Sequence, residues 1–144
     1  RDNGTALAAV AEEITSFLQA NAEPVLEIAA LARALEDVQL MVARLVGFAM
    51  ASQQDPRAIY QVGEHAVSLL MSVGDLLIGY LLTRQAVVAQ AALHGASERD
   101  TAFYTGKLAV AHWFAKNVLP ELTARRKVIE AADLSLMDVP EDAF

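Results

Sequence analysis

Apolar positions along this chain recur every three or four residues, the period of a helix face rather than the alternation of a strand. Leu7, Val10, Ile14, Phe17 and Leu18 mark one face of a first helix over about Thr5 to Ala20. The stretch NAEP at 21–24 breaks it, and Pro24 suits the first position of a second helix reaching Ala51. Leu31, Leu35, Val38, Met41, Val42, Leu45 and Phe48 form that helix's stripe. SQQDP at 52–56 stops and restarts the chain, with Asp55 as an amide-accepting cap and Pro56 in the first turn. A third helix then runs from about Pro56 to His94 and ends at Gly95. Ser97, with Asp100 three residues on, opens a fourth helix over about Glu98 to Ala132. Pro120 lies inside that helix, removes one backbone donor and predicts a kink near Lys116 to Leu119. The closing DLSLMDVPEDAF is too short for a domain, and its apolar residues predict a fold-back onto the bundle.

The expected fold is therefore all-α: an antiparallel up-down four-helix bundle with long third and fourth helices and a short C-terminal tail, one domain over residues 1–144. Register counting across the second hairpin sets residues summing to about 108 level with each other. It pairs Arg44 with Glu64 and Arg33 with Asp75, and places Arg84 near Glu23 and Glu27. The third helix is apolar nearly all round, including AVSLLMSVGDLLIGYLL at 66–82, so one bundle does not cover it. A lipid span is disfavoured, because Asp75 sits near its middle and charges flank it. The expected cover is a homo-oligomer or another domain of the same protein, with Gly74 and Gly79 allowing close approach.

Hydrophobic residues make up 55% and charged residues 20% of the chain, which carries a net charge of −7 and no cysteine. An acidic chain without a basic stripe is a poor nucleic-acid binder and avoids anionic lipid. Lacking cysteine, it has no disulfide, thiolate nucleophile or cysteine zinc site. It is expected in the cytoplasm. Its first residue is Arg1, and the opening lacks a signal design, so the chain is expected to be part of a longer protein.

Candidate chemistry is sparse. His65, His94 and His112 fall in no Glu-x-x-His or His-x-x-x-His pattern, so a bundle metal site is not expected. His94 is read as a helix-end cap, and His65 and His112 as partly buried edge residues. A phosphotransfer histidine would need a neighbouring lysine, and only Lys116 near His112 offers one. Asp75 is read as a structural charge satisfied by Arg33 or a lysine, with Glu12 competing for Arg33. Gly106, Val110 and Trp113 or Phe114 read as a packed seam, with Lys107 running its stem to solvent or to a carboxylate. The basic cluster ARRK at 124–127 reads as a solvated face favoured by the helix dipole, with a cofactor phosphate as its other possible partner.

GDLLIGYLLTRQA (74–86), FYTGKLAVAHWFAKNVLPEL (103–122) and LMDVPEDAF (136–144) together resemble the extra C-terminal helical domain of long acyl-CoA dehydrogenases, in the branch of 3-methylmercaptopropionyl-CoA dehydrogenase-like enzymes. The resemblance covers essentially the whole chain. It implies a parent flavoprotein that oxidises acyl-CoA to 2-enoyl-CoA with FAD, with its catalytic domains upstream. It implies no catalytic, cofactor or metal residue and no cofactor in this chain, which alone is expected to be inactive. Arg33, Asp75, Arg84, Gly106 and Lys107 are read as structural. The alternative reading is an independent helical interaction or apolar-ligand-binding bundle.

Overall fold

The computed structural model describes residues 4–22 and 25–143. Five α-helices and two short 3-10 turns account for almost all of them: α1 Thr5–Ala20, α2 Leu26–Ala51, α3 Ala58–Ala92, α4 Glu98–Asn117 and α5 Pro120–Glu130, then Ser135–Asp138 and Glu141–Ala143. The described residues contain no strand. The predicted fourth helix is divided in two, and the pair α4–α5 forms the fourth arm of the bundle. Arg1, Pro24, Glu23 and Phe144, named in the sequence reading, lie outside the described residues.

The break follows from Pro120, which supplies no N–H. The amides of Val118 and Leu119 both turn to the carbonyl of Phe114, at 2.9 and 3.2 Å, and Pro120 starts α5 as its first residue. Leu119, carried inward by this turn, is buried. It sits where a β-carbon on Gly79 would lie only 2.8 Å from its Cδ2, so a larger residue there would make the Leu119 side chain shift. At Gly74 a β-carbon would meet nothing within 4 Å inside this chain, so its side of α3 is open.

The end signals behave as their chemistry dictates. Ser97 Oγ accepts from the Asp100 amide at 3.2 Å and donates to the Asp100 carboxylate at 2.8 Å, a closed capping pair. Asp55 accepts from the Arg57 amide at 3.0 Å, and its carboxyl is held below the ordinary range by the Arg57 side chain. Gly95 takes a left-handed conformation (φ +83°) just past α3.

The core runs along α2. Leu31, Leu35, Val38, Met41 and Leu45 are buried against α3, α4 and α5, and Ile14 of α1 joins them. Phe17 of α1 meets the Tyr80 ring edge-on, with centroids 5.4 Å apart. On α3 the buried stripe is mostly small or polar, with Gln61, His65, Ser72, Gly79, Thr83, Ala86 and Ala89, and only Leu76 and Tyr80 are large. Most of its other large side chains, among them Tyr60, Val67, Leu70, Met71, Ile78, Leu81 and Val88, are exposed. By length and composition alone, α3 is long and apolar enough to cross a membrane.

The tail only partly follows its expectation. Asp138 reaches Arg57 at 2.9 Å and ties it to the start of α3. Leu136, Met137 and Val139 nevertheless remain exposed rather than folding onto apolar surface.

Candidate functional site

Three features stand out: a buried charge clamp under α5, the uncovered face of α3, and a groove beside α4.

The clamp begins with Asp37, which is completely buried on α2. A carboxylate in that position is tolerated only with full hydrogen bonding. Asp37 accepts from Arg126 Nε at 2.7 Å and from Thr123 Oγ1 at 2.5 Å, with Arg33 Nε at 3.7 Å. Arg126 also donates to Glu130 at 2.6 Å, and these carboxylates, Glu130 foremost, raise the basicity of its guanidinium. One helical step away, Arg125 donates to Asp75 at 2.6 Å and to Glu121 at 3.2 Å. Two adjacent arginines of α5 therefore grip α2 and α3 separately.

This corrects four sequence readings. Asp75 is paired by Arg125, not Arg33, and Arg33 instead meets Glu36 of its own helix at 2.9 Å. ARRK is neither a solvated face nor a phosphate site, because both of its arginines are turned into the bundle. Arg44 lies over the Phe48 ring, 4.3 Å from its centroid, and reaches the Glu130 carbonyl rather than Glu64. Arg84 meets Glu13 at 3.4 Å and lies over Tyr80, while Glu27 goes to His112. Tyr80 donates to Glu13 at 2.7 Å, and burial, with Glu13 adding to it, pushes its phenol above the ordinary value.

The aromatic stretch of α4 is not a seam within this chain. Gly106 has open space beside it, and Phe103, Val110 and Trp113 are each more than half exposed. Lys107 donates to Gln85 at 3.0 Å and lies 5.5 Å from the Phe103 ring centroid. Arg84, Gln85, Phe103, Tyr104 and Lys107, far apart in sequence, line one shallow depression between α3 and α4.

The larger groove, about 1100 Å³, lies between the C-terminal part of α3 and α4 and is closed at one end by the start of α2. Val87, Ala91, Leu108 and Ala109 line its walls, and His94, His112, Trp113 and Lys116 line it further along. At the closed end His112 Nδ1 donates to Glu27 Oε1 at 2.9 Å. His94 lies in the turn after α3. His65 is buried elsewhere on α3. Its Nε2 makes no hydrogen bond, and the Glu64 carboxylate is 3.9 Å away. Among the described residues no group of histidines and carboxylates is arranged to hold a metal ion.

The clamp had a signal that the sequence reading passed over. Asp37 falls within the apolar stripe of α2, and Arg125 and Arg126 each have a glutamate four residues away on the same helix. Polar side chains at such positions ask for a partner from another element.

Residues 10–140 match the family described as acetyl-CoA dehydrogenase C-terminal like. The whole chain aligns at 52% identity, over 148 residues, with a broad-specificity linear acyl-CoA dehydrogenase, FadE5, of Mycobacterium tuberculosis, and spans 24% of that relative's length. Two butyryl-CoA dehydrogenases of Syntrophomonas wolfei are 35% and 34% identical over 81 residues, 55% of this chain and 13% of each of theirs. The packing of α2 against α3, α4 and α5 runs through the matched span, and the chain belongs to the acetyl-CoA dehydrogenase C-terminal-like family.

Proposed function

We propose that this chain is the C-terminal helical domain of an FAD-dependent acyl-CoA dehydrogenase and that it serves the assembly of that enzyme rather than its chemistry. The observation that carries the assembly role is the face of α3. A row of Tyr60, Val67, Leu70, Met71, Ile78 and Leu81 is left open to water. Contiguous apolar patches of this kind mark interfaces. The expected cover is the remainder of the same longer protein, a second subunit, or both. The substrate is an acyl-CoA, and the cellular setting is the cytoplasm.

The residues described here do not suit FAD. The large groove presents one lysine and no glycine-rich turn for a pyrophosphate. The dehydrogenation therefore belongs to the remainder of the protein. FAD bound there would supply the oxidation that turns an acyl-CoA into a 2-enoyl-CoA. Arg33, Asp75, Arg84, Gly106 and Lys107 take structural parts in this reading. Asp75 and Arg84 do so through ion pairs to α5 and α1.

The test is to purify the longer protein, record its visible absorbance and add acyl-CoA without oxygen. A flavin spectrum that bleaches is the expected result. A colourless protein would overturn the dehydrogenase assignment and favour an independent helical ligand-binding bundle.

A further inference from the structure

We propose that the groove between α3 and α4 binds a small amphipathic anion, with its apolar body between the helices and its acidic head at Lys116. This holds whether or not the parent is a dehydrogenase.

Size is the first argument. Pockets for small molecules span about 300–1000 Å³, and this groove reaches about 1100 Å³ with one side open. It exists because the facing helix surfaces carry Ala91 and Ala109, too short to fill the gap. Trp113 is 59% exposed at the groove. A half-wet indole offers a flat apolar surface and an N–H donor to an incoming molecule.

Charge is the second argument. Among the described residues Glu27 is the groove's one lining carboxylate, and it already accepts from His112. Its side chain is 18% exposed, so little of that charge faces the opening. Lys116 lines the groove and makes no ion pair to the described residues. His94 adds a further ring nitrogen, and Asn117 stands beside the lysine. In a chain of net charge −7, this spot presents a cation with no ion pair among the described residues, next to apolar walls. An acidic head with an apolar body satisfies both, whereas a cation or a wholly polar molecule satisfies at most one.

Trp113 is the chain's sole tryptophan, so it reports on its own groove. The test titrates the 144-residue chain with anilinonaphthalene sulfonate and with its uncharged relative phenylnaphthylamine. The readouts are probe emission and energy transfer from Trp113, with helix content checked by circular dichroism. The expected result is saturable one-to-one binding of the sulfonate with strong transfer. The paired change Ala91→Phe with Ala109→Phe fills the walls at two exposed helix positions and should weaken both probes about tenfold or more, a loss of roughly 1.4 kcal/mol. Lys116→Glu, also at an exposed position, should weaken only the sulfonate by a similar factor. Unchanged binding in the filled chain would overturn the proposal and move the probe to the open face of α3. Equal loss of both probes in Lys116→Glu, or no loss of either, would overturn the acidic head.

Discussion

Helices α2 and α3 lie side by side and are built from similar amounts of apolar residue, yet they are oppositely oriented with respect to the core. In α2 the large side chains point inward: Leu31, Val38 and Met41 are all at most 2% exposed. In α3 the inward stripe is mostly small or polar, with Leu76 and Tyr80 as its large members, while most of the large aliphatic residues face water, Val67, Leu70 and Val88 each about two-thirds exposed. Helix α2 thus keeps most of its large side chains in this chain's core, with Leu40, Val46 and Met50 left exposed, and α3 leaves the larger share of its own in water. Apolar surface removed from water stabilises by about 25 cal/mol per Å², so the outer face of α3 holds unused stabilisation that a partner surface can recover. The difference teaches that α3 has two unlike faces, one packed on α2 and α4 and one open for the partner surface proposed above.

The most severe way to break this contrast lies on α2. Asp37→Ala removes the α2 carboxylate that accepts from both Arg126 and Thr123 and leaves Arg126 only Glu130 of its own helix. It should destabilise by about 3 kcal/mol or more, since it empties a fully buried site and leaves the Arg126 Nε and the Thr123 hydroxyl without their acceptor. Urea unfolding measures it, and a change within error of zero would show that Glu130 alone satisfies Arg126. Slightly smaller is the pair Met41→Ala and Met71→Ala, chemically the same change on the two helices. The first should cost about 2–4 kcal/mol by emptying a core site, and the second less than about 0.5 kcal/mol in the 144-residue chain. Equal costs would erase the contrast.

Asp75→Ala comes next, at about 1–2 kcal/mol, because Arg125 keeps Glu121 as a partner when Asp75 is gone. The double change Asp75→Ala with Arg125→Leu should recover part of that loss, and a double mutant no better than the single would deny the pairing. The smallest effect is one of pH. Burial and Glu13 raise the Tyr80 phenol above its ordinary value of 10.0, so folding favours the neutral form. That contribution is intact below pH 10 and fades as the pH climbs toward the folded value. A Tyr80→Phe chain should lack this part of the alkaline decline, which thermal melts above pH 10 would show.

Helix positions were legible in the sequence because they rest on local chemistry: Ser97 with Asp100, Gly95, and the stripe of α2 each act within a few residues. The kink at Pro120 was legible for the same reason, though the structure carries it to a full break. Charge partners were not legible. Level register put Arg33 with Asp75, but register gives height along a hairpin and says nothing of which side of each helix a residue occupies. It also left out α5, which carries the fourth arm on along α2 and α3, so that Arg125 arrives from 50 positions away. The α4 aromatics show the same limit in reverse. Phe103 and Trp113 read as packing, and only the placement of neighbouring helices reveals that they stand open. The groove depends wholly on such placement, so its signal in the sequence reduces to the pair His112 and Lys116 on one helix face.

The central claim, that α3 turns its large residues toward a surface supplied by the rest of the enzyme or by a second subunit, can be measured on the chain's own methionines. Met41 is fully buried and Met71 is 57% exposed. Hydroxyl-radical footprinting of this 144-residue chain and of the longer protein, read by peptide mass spectrometry, compares the two directly. The account predicts that Met71 oxidises readily in the chain alone and becomes protected in the longer protein, while Met41 resists in both. Met71 oxidising equally fast in both would contradict it.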